Sequence, residues 1–146
     1  MKRILGILSV LLVLAVSVLA VTDTETVPVY LNVPAFVRIT VNDVDGAFNL
    51  VFNPANPEST VEDTVALLAE ANVNYTVTSS ITAETAYSNW ASLINVTIDN
   101  SVTGYGQPGK VSFNASADIN VIDYLSYGTV PADTHIADVV FTISSL

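Results

Sequence analysis

Thr64–Ser80, TVALLAEANVNYTVTSS, can be read with two different periods, and the choice sets the fold class. On a helical period, Ser59 and Glu62 make a capping box, and Val61, Val65 and Leu68 share one face. On a period of two, Val65, Leu67, Ala69, Ala71, Val73, Tyr75 and Val77 alternate without a break into NVNYTVTSS, which has strand composition. The longer pattern favours one strand from Thr64 to Thr78. A short helix before Asn72 competes with it over residues 59–71.

The same alternation recurs on both sides. Val27, Val29, Leu31 and Val33 alternate with Thr26, Pro28, Tyr30 and Asn32, and the register resumes after Pro34 with Ala35, Val37, Ile39 and Val41. Asp45-Gly46 is a hairpin signal, with Phe48, Leu50 and Phe52 as the returning strand and Pro54 and Pro57 marking the next loop. Thr85–Ser92 has weak periodicity and reads as a loop or a short helical turn. Leu93–Asp99 is a strand, GYGQPG over 104–109 is a turn, and Val111, Phe113, Ala115 and Ala117 share one face of the next strand. Ile119–Tyr124 follows, and Ile136–Ser144 is the last strand. Short strands at this spacing predict an all-β chain: one antiparallel β-sandwich, jelly-roll-like, of eight or nine strands.

The first residues differ in kind. Lys2 and Arg3 precede apolar Ile4–Leu19 and the small Ala20, the pattern of a cleaved secretory signal over residues 1–20. The apolar run is at the short limit of a spanning helix, and acidic, Thr-rich sequence follows it. The expected organisation is therefore a signal peptide at 1–20, an N-terminal strand at 21–33 and a sandwich domain at 34–146. Beyond Ala20 two basic residues, Arg38 and Lys110, stand against 14 acidic ones. Such a chain repels phosphate backbones and anionic lipid, which argues against nucleic acid as a partner. After signal cleavage no stable membrane insertion is expected. The chain has no cysteine, and its core has to hold it without disulfides.

Chemistry-bearing motifs are sparse. Asn42, Asp43 and Asp45 before Gly46 share the acid-rich opening of a calcium loop, but the bidentate Glu of an EF-hand is missing, and an ordinary Asp-Gly turn accounts for them. His135 has no neighbouring His or Cys to complete a zinc set. It lies between Asp133 and Asp138, yet no GxSxG elbow supplies a nucleophile. No enzyme activity is expected, and no cofactor beyond the calcium option at Asp43 and Asp45. Asn74-Tyr-Thr76, Asn95-Val-Thr97 and Asn114-Ala-Ser116 are glycosylation sequons on the outward parity of their strands.

The N-terminal segment carries the functional expectation. It is strongly β-patterned, it would be free after signal cleavage, and its prolines suit an edge or a strand paired on one side only. Such a segment pairs either within its own sandwich or into a groove of the next subunit, as a donor strand. In the second case Val27, Val29, Leu31 and Val33 are the knobs and Pro34 is the hinge. TDTET, Thr22–Thr26, resembles the SDTET-like start of mature TasA and camelysin-type proteins, to which archaeal bundling pili are related. Where that family continues with an Asn-, Phe- and Gly-containing stretch, this chain has VPVYLNVPAF. The resemblance implies a secreted jelly-roll fibre subunit that assembles by donor-strand exchange through its N-terminus.

The resulting expectation is an extracellular, cell-surface structural subunit of a filament or biofilm matrix, a head-to-tail homopolymer with glycans as further partners. The alternative is a monomeric binding module for carbohydrate or adhesion, with Tyr87, Trp90, Tyr105, Tyr124 and Tyr127 as stacking faces.

Overall fold

A computed structural model describes residues 23–56, 59–119 and 127–146. The expected signal segment 1–20 and most of the expected strand Ile119–Tyr124 lie outside the described residues. The chain divides into two units, residues 1–33 and 34–146.

In the second unit the period of two prevails. The described residues hold six strands: β1 (Val37–Val41), β2 (Val61–Ala71), β3 (Tyr75–Ala83), β4 (Ile94–Ile98), β5 (Gly109–Ile119) and β6 (Ala137–Ser145). They form two antiparallel sheets, one in the order β1-β2-β5-β4 and the other β3-β6. The all-β expectation is met at this level. In β2, Val65, Leu67, Ala69 and Ala71 are buried while Glu62 and Thr64 are exposed. Strand wins over helix because β2 ladders on both sides. It runs against β5 from Val61↔Ile119 to Ala71↔Gly109, and against β1 from Val37↔Ala71 to Val41↔Leu67.

The single strand expected from Thr64 to Thr78 is two strands in different sheets. Asn72–Asn74 turns the chain from β2 to β3. Asn72 suits that turn because its side chain serves both as acceptor and as donor. Its Oδ1 accepts from Phe36 N at 2.7 Å and its Nδ2 donates to Pro34 O at 2.8 Å. Alternation survives the break because both strands turn the same parity toward one core. Leu67, Ala69, Ala71, Phe113 and Ala115 of the first sheet pack with Tyr75 and Val77 of the second, and Val102 joins them. A second cluster gathers Val61, Trp90 and Ile119, with Leu50, Phe52, Leu93 and Ile136 packed on it. Phe52 meets Trp90 edge-on at 5.8 Å. Burying each large apolar side chain contributes about 1.5–3 kcal/mol, and this burial takes the place of disulfides.

The hairpin expected at Asp45-Gly46 is not a reversal. Gly46 has φ +65°, but the chain loops out there and then continues along β2 in its former direction. Asn42 N bonds Ala66 O, and Asn49 N then reaches Asp63 Oδ2 at 2.6 Å. Phe48, Leu50 and Phe52 do point at the core, as their alternation predicts. They form no strand, because the Asp63 side chain receives the backbone donor in place of a ladder carbonyl.

Thr85–Ser92, expected as a loop or a short helical turn, is a 3₁₀ turn, Thr85–Tyr87, followed by one α turn, Ser88–Ala91. A further turn, Asn100–Thr103, is capped by Asp99, which accepts from Ser101 N at 2.9 Å, and it buries Val102.

Candidate functional site: an open margin and an unladdered arm

The margins of the two sheets differ. Near β3 and β4, the turns Ser88–Ala91 and Asn100–Thr103 pack against β3 and insert Trp90 and Val102 into the core. At the other margin β1 lies beside β6, and among the described residues no helical turn packs on them as the two turns pack on β3. Among the described residues β1 ladders only to β2 and β6 only to β3, so each has a second edge without a strand on it. Between them is a cleft of about 170 Å³ lined by Ile39, Thr40, Val41, Leu67, Val139 and Phe141. Four of these are inward positions of edge strands, Ile39 and Val41 on β1 and Val139 and Phe141 on β6. They are not fully buried, and Val41 is 47% exposed. Phe141 leans on Phe48 at 6.4 Å, and Leu67 forms the floor at 1% exposure. The cleft can take an apolar side chain and offers backbone donors and acceptors along both rims.

In the first unit, residues 23–33 carry no strand or helix. The expected strand there is absent, since an extended segment without a laddered neighbour forms none. Val27, Val29, Leu31 and Val33 are 78, 91, 86 and 62% exposed, and Tyr30 on the opposite parity is equally open at 91%. The second unit begins at Pro34, the expected hinge, whose carbonyl is held by Asn72.

The other candidate residues fall apart from one another. Asp43 accepts from Val44 N, and Asp45 accepts from Asn49 Nδ2 at 2.7 Å, so these carboxylates shape the loop before β2. Among the described residues no group of three or more acids and histidines is arranged to hold a metal. His135 lies 3.0 Å from Asp138 Oδ1 and 3.5 Å from Glu84 Oε1, joining the paired ends of β3 and β6. Among the described residues no serine hydroxyl bonds it. Trp90 is buried against Phe52 and Tyr127 and presents no open stacking face, while Tyr87 packs beside that cluster, half-buried. Tyr105 is 59% exposed and its hydroxyl accepts from Asn74. Tyr124 lies outside the described residues.

Both basic residues of the second unit converge on one carboxylate: Arg38 and Lys110 flank Glu70 across three adjacent strands. The two cations and their hydrogen bonds hold the Glu70 carboxyl below its usual range, with Arg38 the main cause. No helix among the described residues is long and apolar enough to cross a membrane.

Sequence reasoning singled out the arm but missed the cleft. Val139 and Phe141 lie far from Ile39 and Val41 in the chain, and only the placement of β1 beside β6 brings them together. No family model, curated protein or solved structure matches the chain.

Proposed function

We propose that the protein is a structural subunit of an extracellular filament or matrix, and that its two sheets form a β-sandwich of jelly-roll type completed from outside. The arm, Thr22–Val33 of one copy, lies in the β1–β6 cleft of the next and adds a strand where an edge has none. The observation that carries this reading is the apolar cleft between β1 and β6, two edges that carry no further strand among the described residues.

Several features support the fit. Same-face side chains of an extended strand stand about 6.6–6.8 Å apart, so the four arm residues present a row about 20 Å long. The cleft volume, about 170 Å³, is of the size that holds one benzene-like group, which makes it a seat for one knob. Leu31 is the largest of the four. The remaining knobs lie along the rims, and main-chain hydrogen bonds add about 0.5–1.5 kcal/mol each. The contact is heterologous, so it does not close on itself and propagates head to tail. The signal-like segment at 1–20 and the resemblance of TDTET to the TasA and camelysin start agree with this placement outside the cell. Catalysis has no part in this reading.

Electron microscopy of residues 21–146 beside residues 34–146 tests it. Filaments from the longer chain and none from the shorter are expected. Discrete monomers from both, with the shorter one less stable, would refute polymerisation and leave the segment as an ordinary edge strand.

A further inference from the structure

We infer that Asn114 is the asparagine of this chain that carries an N-linked glycan, and that Asn74 and Asn95 do not. The three sequons are equivalent in sequence and distinct in the fold. Asn74 Nδ2 donates to the Tyr105 hydroxyl at 2.5 Å, and the Thr76 hydroxyl of the same sequon donates to Thr103 O. Asn95 Nδ2 donates to Asp118 Oδ2 at 3.0 Å. At both positions the nitrogen that would carry the sugar is already at contact distance from a neighbouring oxygen. Asn114 is exposed on β5, and its side chain has no hydrogen-bond partner among the described residues. Ala66 faces it across the β2 ladder, Ser112 and Ser116 flank it on the same face of its strand, and on the β4 side its carbonyl accepts from Asp99 N at 3.1 Å. Ser116 bonds Thr64 through its hydroxyl, and that bond does not involve the Asn114 amide.

Asn114 stands on the outer face of the four-stranded sheet, opposite in parity to buried Phe113 and Ala115 and to the Leu67 floor of the cleft. A glycan there covers neither rim, so the inference stands whether or not the chain polymerises. The donor is a sugar chain on a polyprenyl diphosphate. Its anomeric C–O bond breaks and the diphosphate leaves with the electron pair. A C–N bond forms to Nδ2, which gives up one proton to a base of the transferase.

The test is secretion of the full chain from a host with N-glycosylation machinery, beside a reporter sequon that verifies transfer, followed by glycopeptide mass spectrometry. The expected result is a glycan mass on the Asn114 peptide alone, lost in Asn114→Gln and in Ser116→Ala and retained in Asn74→Gln and Asn95→Gln. A glycan on Asn74 or Asn95, or a bare Asn114 while the reporter is modified, overturns the inference.

Discussion

Replacing Tyr75 with Phe is expected to stabilise the protein. Tyr75 is fully buried at 0% exposure, and its hydroxyl has no hydrogen-bond partner among the described residues. Leaving a buried hydroxyl unpaired costs about 1–3 kcal/mol. Deleting the oxygen removes that cost and leaves a void of roughly 10–15 Å³, which at about 24 cal/mol per Å³ gives back only about 0.3 kcal/mol. The net gain is about 1–2 kcal/mol, or a rise in Tm of roughly 3–6 °C for a domain of this size. A second signature lies in the pH dependence. Burial raises the Tyr75 pKa above the ordinary 10.0. The unfolded chain therefore loses this proton first, and wild-type stability falls as pH rises from 10.0 through the folded value. Phe has no proton to lose, so the advantage of Tyr75→Phe widens in that range. Urea denaturation of both proteins at neutral pH and above 10.0 measures both effects. A destabilised variant at neutral pH would refute the argument, because it would mean that the hydroxyl has a bond worth keeping.

Two further outcomes follow from close contacts. A Cβ on Gly106 would stand 2.5 Å from two ring carbons of Tyr75, and the ring is walled in by the core, so Gly106→Ala should lose about 3 kcal/mol in the same denaturation assay. Glu70→Gln should flatten the acid limb of the stability profile: the lowered Glu70 pKa gives wild type stability that is present above the ordinary 4.5 and lost as pH falls through the folded value. Tm against pH at low and high salt reads this, and a difference between the two proteins that survives high salt would contradict an exposed ion pair as its source.

The parity of side chains was legible in the sequence almost throughout, and the partner of each strand was not. Val65, Leu67, Ala69, Ala71, Tyr75 and Val77 all turn inward as their alternation requires. The same alternation concealed the change of sheet at Asn72–Asn74, since both strands face one core. Phe48, Leu50 and Phe52 show the converse: their pattern is that of a strand and they pack accordingly, but Asp63 takes the hydrogen bond that a ladder would have used. Residues 99–104, DNSVTG, carried an N-cap and a terminal glycine, and so held the signal for the turn at Asn100–Thr103. The arm was visible as an apolar, proline-broken stretch. The cleft depends on residues brought together only by tertiary placement, and no local pattern encodes it.

The strand pairing also sets a timetable for the chain. None of the four ladders among the described residues is a tight hairpin: the shortest closure joins Ile98 to Ala115, the nearest ends of β2 and β5 join Ala71 to Gly109, and those of β3 and β6 join Ala83 to Ala137. Closing the longer of these loops places the protein among slow folders, on the order of milliseconds to seconds. Among these pairs β3 has to wait longest, because its partner begins only at Ala137 while β3 ends at Ala83. Until residues 137–145 emerge, Tyr75 and Val77 have no completed sheet to sit in, so the final closure of the core waits for β6.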